Sequence, residues 1–400
     1  MTSVWQDKVI LLGVSGGIAA YKAVELASTL RKSGAKLRII MTENATRFVT
    51  PLTFREVANA PVYYDMWQEP QSYDMAHISL SEEADLALVA PATANIIGKL
   101  AHGIADDLLT TTLMALATPL AVAPAMNSKM WENSVVKDNI AQLRQHGIKV
   151  IEPETGHLAC GQIGKGRLPK EETILFELES LLWPQDLAKK RFLITAGPTR
   201  EYVDDFRYIS NPSTGKMGLA LAKAAKLRGA NVDLVLGPSQ IEVPRGINVY
   251  RVTDAMEMLN TAASLFEQAD VVIGAAAVSD FRIEKRFSGK VKREIWGEKV
   301  NWPLIPNPDI LASLTKKRVH QIIVGFAAES EDLIRNANHK LDQKELDLII
   351  ANDISRQDTG FAVDTNQVVI LGKNFKRELN LLSKEETAHK IMDTLVEIWL

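Results

Sequence analysis

Short apolar runs alternate with amphipathic helical patterns along most of the chain. Near the N-terminus the pattern predicts a strand over residues 8–12, a glycine-rich turn, a helix over 18–32 that Gly34 ends, and a second strand over 36–41. Strand, helix and parallel strand in this order form the βαβ unit that begins nucleotide-type α/β domains. The N-terminus is therefore predicted to start such a domain.

The same order of elements returns in the middle of the chain. An apolar run at 192–195 ends in a Gly-Pro turn, a helix is predicted over 219–227 with Gly229 as its C-terminal cap, and a strand follows over 232–236. Other apolar runs predict buried strands over 85–90, 119–123, 271–277 and 347–351. We therefore expect an α/β protein with two Rossmann-like domains.

Length and composition agree with this division. The 400 residues exceed what one hydrophobic core holds comfortably, which favours two or three domains. We expect a first domain over 1–188 and a second over 189–400. The seam lies in the stretch LLWPQDLAKK, where Pro184 breaks a helix and basic residues precede the new strand.

Charge and cysteine content exclude several classes of function. A net charge of −3 gives no electrostatic reason to expect nucleic acid or a membrane surface as a partner. The single cysteine excludes an internal disulfide and a cysteine-only metal site. Neither a membrane-length apolar run nor the apolar core of a signal peptide is present, so we expect a soluble cytoplasmic protein.

In the first half, small and polar residues follow the predicted strands. The turn containing Ser15, Gly16 and Gly17 leads into a helix N-terminus, where backbone N–H groups favour a phosphate; an ordinary βα turn would have the same spacing. Thr42 follows the second strand and by itself is more simply a helix cap. The strand at 85–90 ends in a run of small and polar residues, Ala90, Pro91, Ala92, Thr93, Ala94 and Asn95. Asn127 follows the strand at 119–123, which suggests a shared pocket for a flat ligand.

Two further residues of the first half are candidates for chemistry. His77 is a solitary histidine, which is more often structural but could serve as an acid or base near neutral pH. Cys160 lies among four glycines in the stretch 156–167, which predicts a mobile loop and favours a functional cysteine over a buried structural one.

The second half places charged residues after its strands. Asp280 follows the strand at 271–277 and could meet a ribose, a base edge or Mg²⁺, and the basic stretch beginning at Lys290 would suit a triphosphate, although such a run is usually a solvated loop. Lys340 and Lys344 share one helix face. The polar loop with Asp204, Asp205, Arg207 and Asn211 is either a ligand loop or a solvated connection. The sequence at 214–216 is not a P-loop, because Ser210 stands where that motif needs glycine.

Taken together, these motifs resemble a known family. The set SGGIAAYK, AHISL, APATAN, PAMN and ACGxxGxGR is similar to the flavin-dependent cysteine decarboxylases, and the half beginning ITAGPTRE resembles phosphopantothenate–cysteine ligase. In this order they resemble the bifunctional coenzyme A biosynthesis proteins over nearly the whole chain. The resemblance implies an N-terminal FMN flavoprotein domain and a C-terminal CTP-dependent ligase domain.

For the first half, the resemblance implies decarboxylation of 4′-phosphopantothenoylcysteine to 4′-phosphopantetheine. His77 would assist the oxidative step, Asn127 would bind the substrate carboxylate and Cys160 would donate the final proton. The residues implied to hold FMN are Ser15, Gly16, Gly17, Thr42, Ala90, Pro91, Ala92, Thr93 and Asn95. This chain departs from the family pattern at Gln162 and Leu168, which leaves loop closure and rate open.

For the second half, the resemblance implies that CTP activates 4′-phosphopantothenate as an acyl-cytidylate that cysteine then attacks. Lys290 would favour cytidylate formation, and Asn211 with Arg207 would hold the intermediate. The residues implied to bind CTP are Gly274, Ala275, Ala276, Asp280, Lys290, Asn307, Pro308, Asp309, Ile310, Phe326, Lys340 and Lys344. Mg²⁺ is an expected cofactor with unassigned ligands, and Pro212 departs from the family loop.

The resemblance also implies a homo-oligomer, with trimers of the flavin domain and dimers of the ligase domain that together could build a dodecamer. Two alternatives remain at this point. One is a decarboxylase whose second half is a degenerate ligase that acts as a scaffold, and the other is a regulatory flavoprotein without catalysis. The presence of His77, Asn127 and Cys160 argues against the regulatory alternative, and Asn211, Asp280 and Lys290 argue against the scaffold.

Overall fold

The structure is a computed structural model that describes residues 4–67, 75–158, 161, 163–292, 301–329, 331–353 and 363–399. It divides into two compact units, one ending at Trp183 and the other beginning at Pro184. This division lies within the stretch 181–190. We describe each unit by itself, and call them the flavin unit and the ligase unit after the implied domains.

The flavin unit alternates strands and helices along the chain. Its strands are β1 (Val9–Val14), β2 (Lys36–Met41), β3 (Val62–Tyr63), β4 (Leu86–Ala92), β5 (Leu120–Pro124), β6 (Lys149–Val150), β7 (Glu154–His157) and β8 (Ile163–Arg167). Its helices are α1 (Ala20–Lys32), α2 (Glu43–Thr46), α3 (Pro51–Ala58), α4 (Ala76–Glu83), α5 (Ala94–His102), α6 (Leu108–Met114), α7 (Ser128–Glu132), α8 (Ser134–Gln145) and α9 (Glu171–Leu182).

Six of these strands form a parallel sheet in the order β3-β2-β1-β4-β5-β6. Alternate residues of each strand enter opposite hydrophobic cores, so that Leu12 and Ile39 pack on one face and Leu11 and Ile40 on the other. Both faces are buried, which explains why these strands appear in the sequence as continuous apolar runs. The strand order reverses direction between β1 and β4, and the carboxyl ends of these two strands form the usual ligand crevice of such sheets.

The ligase unit repeats this plan with more elements. Its strands are β9 (Arg191–Ala196), β10 (Arg200–Tyr202), β11 (Tyr208–Ser210), β12 (Asn231–Leu236), β13 (Asn248–Arg251), β14 (Val271–Gly274), β15 (Phe281–Ile283), β16 (Leu304–Pro306), β17 (Ile322–Glu329), β18 (Leu348–Asp353), β19 (Thr365–Asn366), β20 (Val368–Gly372), β21 (Phe375–Glu378) and β22 (Leu382–Ser383). Its helices are α10 (Lys216–Leu227), α11 (Ala255–Leu265), α12 (Ile310–Thr315), α13 (Leu333–Gln343) and α14 (Lys384–Trp399), with a 3-10 turn at Phe266–Gln268.

The main sheet of the ligase unit has the order β13-β12-β9-β14-β17-β18-β20-β21. The strands from β13 to β18 are parallel, and β20 and β21 add an antiparallel edge. Its order reverses between β9 and β14, as it does between β1 and β4 in the flavin unit. The prediction of two Rossmann-like α/β domains is therefore confirmed.

Three segments differ from their predicted form, and several other bounds shift by up to three residues, since β1 runs to Val14, β4 to Ala92 and α10 begins at Lys216. Strand β14 ends at Gly274 instead of at 277, because the chain beyond it keeps only a single bridge between Ala277 and Pro198. The polar connection at 200–210 contains the hairpin of β10 and β11, and the glycine-rich stretch at 156–167 contains the hairpin of β7 and β8.

Gly229 has a φ of 92°, which fits its predicted role in ending α10.

The lengths and hydropathy of the helices bear on whether the chain could cross a membrane. Within the described ranges, no helix is both long and apolar enough to span a membrane.

Candidate active sites at the carboxyl ends of the two sheets

In the flavin unit, Ser15 joins the ends of β1 and β4. The Ser15 hydroxyl donates to the Pro91 carbonyl oxygen at 2.7 Å and accepts from the Thr93 N–H at 3.0 Å, and the residue is only 2% exposed. The Ser15 N–H also donates to the Pro91 carbonyl, at 3.3 Å. Because both Ser15 donors are directed at Pro91, donors for a phosphate would have to come from the neighbouring N–H groups of Gly16 and Gly17.

Gly16 allows the loop after β1 to lie against the end of β2. A Cβ at Gly16 would overlap Asn44 Cβ and lie 2.8 Å from the Asn44 carbonyl carbon. Thr42 begins the same segment and caps α2, accepting from the Ala45 N–H at 3.3 Å. The simpler interpretation of Thr42 as a helix cap is confirmed, and its proposed contact with a cofactor would be additional.

The end of β4 offers backbone and small side chains to the same crevice. Ala90, Pro91 and Ala92 are buried, whereas Thr93 is half-buried and Asn95 is exposed at the start of α5. The side chains able to reach a ligand from this segment are therefore those of Thr93 and Asn95, while the others shape the wall.

Asn127 lies beside the hairpin of β7 and β8. It caps α7, accepting from the Lys129 N–H at 2.9 Å. Strand β8 lies directly on this loop: Met126 N–H donates to the Gly166 carbonyl at 2.9 Å, and a Cβ at Gly164 or Gly166 would overlap Ser128 Oγ or the Met126 carbonyl oxygen. Two of the glycines that suggested a mobile loop thus allow β8 to pack closely on the loop after β5, Gly166 against its backbone and Gly164 against the Ser128 side chain.

The other residues predicted for the flavin unit make fewer described contacts or lie outside the described residues. Cys160 and Gln162 lie outside the described residues. Leu168 is buried in the core, so its departure from the family pattern is a packing substitution. His77 is half-buried on α4, a helix that packs against α6 and β1, and the neighbouring Ile78 is exposed.

In the ligase unit, Asn211 joins the connections that follow two central strands, β9 and β14. Its side-chain Nδ2 donates to the carbonyl oxygens of Ala277 and Val278 at 3.3 and 3.0 Å. The loop after β11 is therefore attached to the loop after β14 across the point where the strand order reverses. Asn211 therefore bridges the connections after β9 and β14, as Ser15 bridges the connections after β1 and β4, although Asn211 lies farther along its connection.

Arg207 and Lys290 lie on facing segments. Arg207 Nη1 is 3.3 Å from Asp204 Oδ2 and 3.4 Å from the Val291 carbonyl oxygen. Lys290 is exposed, with Nζ 5.4 Å from the centre of the Phe206 ring. The structure therefore brings together two of the residues that the sequence separated by more than 80 positions.

Asp280 and Asn307 form a second part of the crevice. The Asn307 N–H donates to the Asp280 carbonyl at 2.8 Å, and the Asn307 side chain donates to the Ser279 carbonyl at 2.8 Å. Arg282 Nη1 donates to Asn307 Oδ1 at 3.0 Å. Asn307 therefore supports the backbone around Asp280, whose own side chain is exposed.

Lys340 on α13 and Lys344, which follows the last residue of that helix, are each paired with a carboxylate, so the predicted helix face that they share ends before Lys344. Lys340 Nζ lies 2.6 Å from Glu329 Oε1, and Lys344 Nζ lies 2.7 Å from Asp309 Oδ2. Asp309 also caps α12 by accepting from the Ala312 N–H. A nucleotide phosphate that binds these lysines would compete with both carboxylates.

Four of the residues implied to bind CTP have no polar side-chain atoms, so they would contribute mainly to the shape of the site: Gly274, Ala275, Ala276 and Phe326. Gly274 lies where a Cβ would be 2.5 Å from Leu311 Cδ1 of α12. The other three are half-buried, Ala275 and Ala276 just after β14 and Phe326 within β17. Pro308 and Ile310 flank the Asp309 cap, Ile310 inside the core and Pro308 half-buried.

Sequence reasoning missed Glu201, which lies beneath this crevice. It is 3% exposed on β10 and accepts from the Ala255 N–H at 3.1 Å. Burial raises the pKa of the Glu201 carboxyl above its ordinary value; the nearby Asp254 adds to this rise, and hydrogen bonds with Thr199, Ala255 and Asn307 oppose it. The motif ITAGPTRE contains this residue, but nothing in its spacing distinguishes a buried acid from an exposed one.

Comparison with known proteins identifies the class of each unit. A family model described as Flavoprotein matches residues 3–182, and one described as the C-terminal domain of the DNA/pantothenate metabolism flavoprotein matches residues 187–398. The protein therefore consists of a flavoprotein domain followed by this C-terminal domain, and each domain contains one of the two main sheets.

Relatives that match nearly the whole chain show the family to which it belongs. The coenzyme A biosynthesis bifunctional protein CoaBC of Bacillus subtilis is 45% identical over 397 residues, covering 98% of this chain and 97% of the relative, and that of Escherichia coli is 40% identical over 392 residues, covering 97% of both. A crystal structure of the C-terminal domain of a CoaBC protein is 34% identical and covers 54% of this chain and 97% of its own, with a TM-score of 0.46. The chain belongs to the family of bifunctional coenzyme A biosynthesis proteins, which combine phosphopantothenoylcysteine decarboxylase and phosphopantothenate–cysteine ligase activities.

Proposed function

We propose that the ligase unit joins cysteine to 4′-phosphopantothenate at the expense of CTP, and that the flavin unit decarboxylates the product with FMN to give 4′-phosphopantetheine. The observation that carries this proposal is the common construction of the two crevices. In each unit a polar side chain, Ser15 or Asn211, bonds the two connections that follow the strands between which the order reverses, at the sheet edge where such folds bind their ligands.

The flavin crevice suits FMN. Its walls are neutral and small, as a flat ring requires, and the 13-residue helix α1 begins just after Gly16 and Gly17, as a phosphate requires. Ser15, Gly16, Gly17, Thr42, Thr93 and Asn95 would hold the cofactor, with Ala90, Pro91 and Ala92 forming the wall. FMN supplies the chemistry that takes two electrons from the thiol side of the substrate and later returns them.

The protein's own residues orient the substrate and move protons. Asn127 binds the carboxylate that leaves as CO₂, and His77 assists removal of hydrogen from the thiol side, which leaves a thioaldehyde. The sulfur can then accept the electron pair released by the breaking C–C bond, which gives an enethiolate. Cys160 donates a proton to this enethiolate, and because the electrons taken first are returned, the net reaction is decarboxylation without redox change.

In the ligase unit, charge neutralisation and positioning carry the reaction. An oxygen of the 4′-phosphopantothenate carboxylate attacks the α-phosphorus of CTP, and pyrophosphate leaves. Lys290 neutralises charge during this attack, while Asn211 and Arg207 hold the acyl-cytidylate. The amine of cysteine then attacks the acyl carbon, CMP leaves and the amine proton is released.

CTP would occupy the crevice between Asp280 and α13. Asp280 is exposed for a contact with the ribose or base, and Lys340 and Lys344 would exchange their carboxylate partners for phosphates. Among the described residues, no three His, Cys, Asp or Glu side chains cluster as a metal site. We therefore propose that Mg²⁺ binds with the triphosphate, which would supply several of its oxygen ligands.

Exposed apolar side chains support the expected assembly. In the flavin unit, Ile18 is 60% exposed near the FMN loop, and Tyr21 follows it on α1. In the ligase unit, Phe206 and Tyr208 are exposed on the hairpin of β10 and β11, and Phe281 and Leu304 on the antiparallel pair of β15 and β16. We propose that second copies cover both surfaces, as trimers of the flavin unit and dimers of the ligase unit in a dodecamer, and that the enzyme is cytoplasmic.

Incubation of the pure protein with 4′-phosphopantothenate, cysteine, CTP and Mg²⁺ tests the proposal directly. We expect a yellow protein that releases pyrophosphate and CO₂ and forms 4′-phosphopantetheine. Pyrophosphate without CO₂, or a colourless protein that FMN does not restore, would contradict the decarboxylase half. Decarboxylation of supplied 4′-phosphopantothenoylcysteine without any ligation would contradict the ligase half.

A further inference from the structure

We propose that Asp204 and Asp205 are positioning residues that fix Lys290 for cytidylate formation. They occupy the turn between β10 and β11, which we call the aspartate turn (residues 204–207). This inference rests on the proposed role of Lys290, and it adds two residues to which the family resemblance assigns no role.

The two carboxylates hold the main chain on both sides of Lys290. Asp205 Oδ2 accepts from the Gly289 N–H at 2.9 Å, and Asp204 Oδ2 accepts from the Val291 N–H at 3.3 Å. Lys290 lies between these two amides in the chain. Its backbone is therefore attached to the aspartate turn immediately before and immediately after the lysine.

The aspartate turn is itself rigid. Asp204 is fully buried and also accepts from the N–H groups of Phe206 and Arg207 at 2.9 and 2.7 Å. Burial alone would raise the pKa of the Asp204 carboxyl, but the hydrogen bonds from Phe206, Arg207 and Val291 hold this pKa below its usual range. Asp204 therefore stays ionised at neutral pH and keeps its three backbone bonds.

The loop that carries Lys290 needs such an anchor. It is basic, with Arg286 and Lys292 near Lys290, and Gly289 has a φ of 69°, so neither charge nor local sequence favours one conformation. Asp205 also pairs with Arg286 at 2.9 Å, and the Phe287 N–H donates to the Val203 carbonyl at 3.0 Å. The turn thus compensates the loop's charge while fixing its backbone.

The Lys290 side chain keeps its freedom despite this anchor. Lys290 is exposed, and its ring partner Phe206 is itself 65% exposed. Because the backbone is already fixed, only the side chain has to be ordered when the ammonium group meets a phosphate. Misplacement of such a group by about 1 Å can cost 100-fold in rate.

Pyrophosphate release in single-turnover reactions of the full chain separates positioning from mere stabilisation. We expect Asp205→Ala to slow this release roughly tenfold at saturating CTP, with little change in the KM for CTP, because orientation and not binding is lost. Asp205→Asn keeps an acceptor oxygen for Gly289 and should recover part of the rate. Transfer of a supplied acyl-cytidylate to cysteine should be unchanged in both variants.

A double variant provides the decisive comparison. If Asp205 acts through Lys290, adding Asp205→Ala to Lys290→Gln should slow pyrophosphate release no further, because the two residues form one unit. Folded Asp204→Asn protein should likewise slow pyrophosphate release, and the same substitution should add no further slowing to Lys290→Gln. Asp393→Asn is a matched control, since Asp393 pairs with Arg228, a residue just beyond the end of α10 that lies outside the proposed site.

Two results would overturn the inference. Equal slowing by Asp205→Ala in the parent and in the Lys290→Gln protein would show that the turn acts independently of the lysine. Parent-like pyrophosphate release by Asp205→Ala would show that the anchor is unnecessary. If Lys290→Gln itself released pyrophosphate at the parent rate, the proposed role of Lys290 would fail, and the positioning inference would fail with it.

Discussion

The two units have the same central strand order but very different crevices. In the flavin unit, the chain passes from β1 to α1 through residues 15–19, and the crevice is lined by glycines, alanines and hydroxyl groups. In the ligase unit, the connection from β9 to α10 spans residues 197–215 and includes a hairpin whose turn carries two aspartates and an arginine, followed directly by an asparagine. One sheet topology can therefore serve a flat cofactor or a charged nucleotide, depending on the length and charge of the loops.

The largest effects are expected from the residues that transfer protons in the flavin unit. Cys160→Ser should let oxidative decarboxylation proceed but reduce formation of the product roughly 10²- to 10⁴-fold, because a hydroxyl is a far weaker acid than a thiol. His77→Asn should block earlier, before CO₂ is released. Quenched reactions analysed by mass spectrometry would show the enethiol in the first variant and unchanged substrate in the second.

The same variants also test whether the two crevices work separately. Pyrophosphate release from CTP should keep its parent rate in Cys160→Ser. A parallel loss of both activities would contradict the division of labour between the units, and 4′-phosphopantetheine formation at the parent rate would exclude Cys160 as the donor.

A somewhat smaller effect is expected from the charged crevice of the ligase unit. Lys290→Gln should reduce pyrophosphate release roughly 10²- to 10³-fold, by analogy with the loss of other groups that stabilise transition-state charge. Asn211→Asp should still form acyl-cytidylate but transfer it poorly to cysteine, because the new charge would face the phosphate of the intermediate. Mass spectrometry should therefore find acyl-cytidylate in the Asn211 variant and none in the Lys290 variant.

The structure adds a control to this experiment. Asn211→Asp replaces an amide that donates to two carbonyl oxygens, so it also weakens the attachment of the loop. Asn211→Ala removes the amide without adding charge. Accumulation of acyl-cytidylate in both variants would support a role in transfer, whereas loss of cytidylate in both would assign Asn211 to the first step.

Gly16 tests how closely the flavin loop must be packed. Gly16→Ala would force a methyl group against the backbone of Asn44, and overpacking of this kind costs roughly 1–3 kcal/mol. We expect retention of FMN to weaken about 10- to 100-fold, measured by the flavin remaining after dialysis. Gly98→Ala, in the interior of α5 with its nearest neighbour at 3.6 Å, should retain FMN like the parent.

The smallest expected effect is a loss of stability in the ligase unit at acidic pH. Burial, together with the positive charges of Arg228 and Lys223, lowers the pKa of His389 in the ligase unit to about 4 from its ordinary 6.5, despite the opposing Asp393 and Glu385. Between these pH values the unfolded chain binds a proton that the folded chain does not. This contribution to stability, on the order of 3 kcal/mol, is therefore present above pH 6.5 and lost as the pH falls towards 4.

Calorimetry of the full chain at pH 7 and pH 5 checks this prediction. The parent should lose several degrees more in Tm than His389→Gln does, because the variant has no group to protonate at this position. His320→Gln, at an exposed histidine of the same unit, should follow the parent. Equal losses in the parent and in His389→Gln would assign the acid sensitivity to other groups.

The sequence by itself determined the elements and their order. Apolar runs such as 36–41 and 232–236 became strands within one residue of the predicted bounds, because burial on both faces of a parallel sheet demands continuous hydrophobic segments. Gly229 ended α10, since few other residues adopt its backbone conformation. The motifs at the strand ends then sufficed to recognise the family.

Only the tertiary structure decided which distant groups meet. Ser15 bonds to Pro91, Asn211 to Val278 and Asp205 to Gly289, across 76, 67 and 84 positions of the chain. The burial of Glu201 and the pairing of Lys344 with Asp309 could not be predicted either. Local periodicity encodes the type of an element, whereas the partner of a loop side chain depends on how separate loops pack at the sheet edge, and no local pattern carries that information.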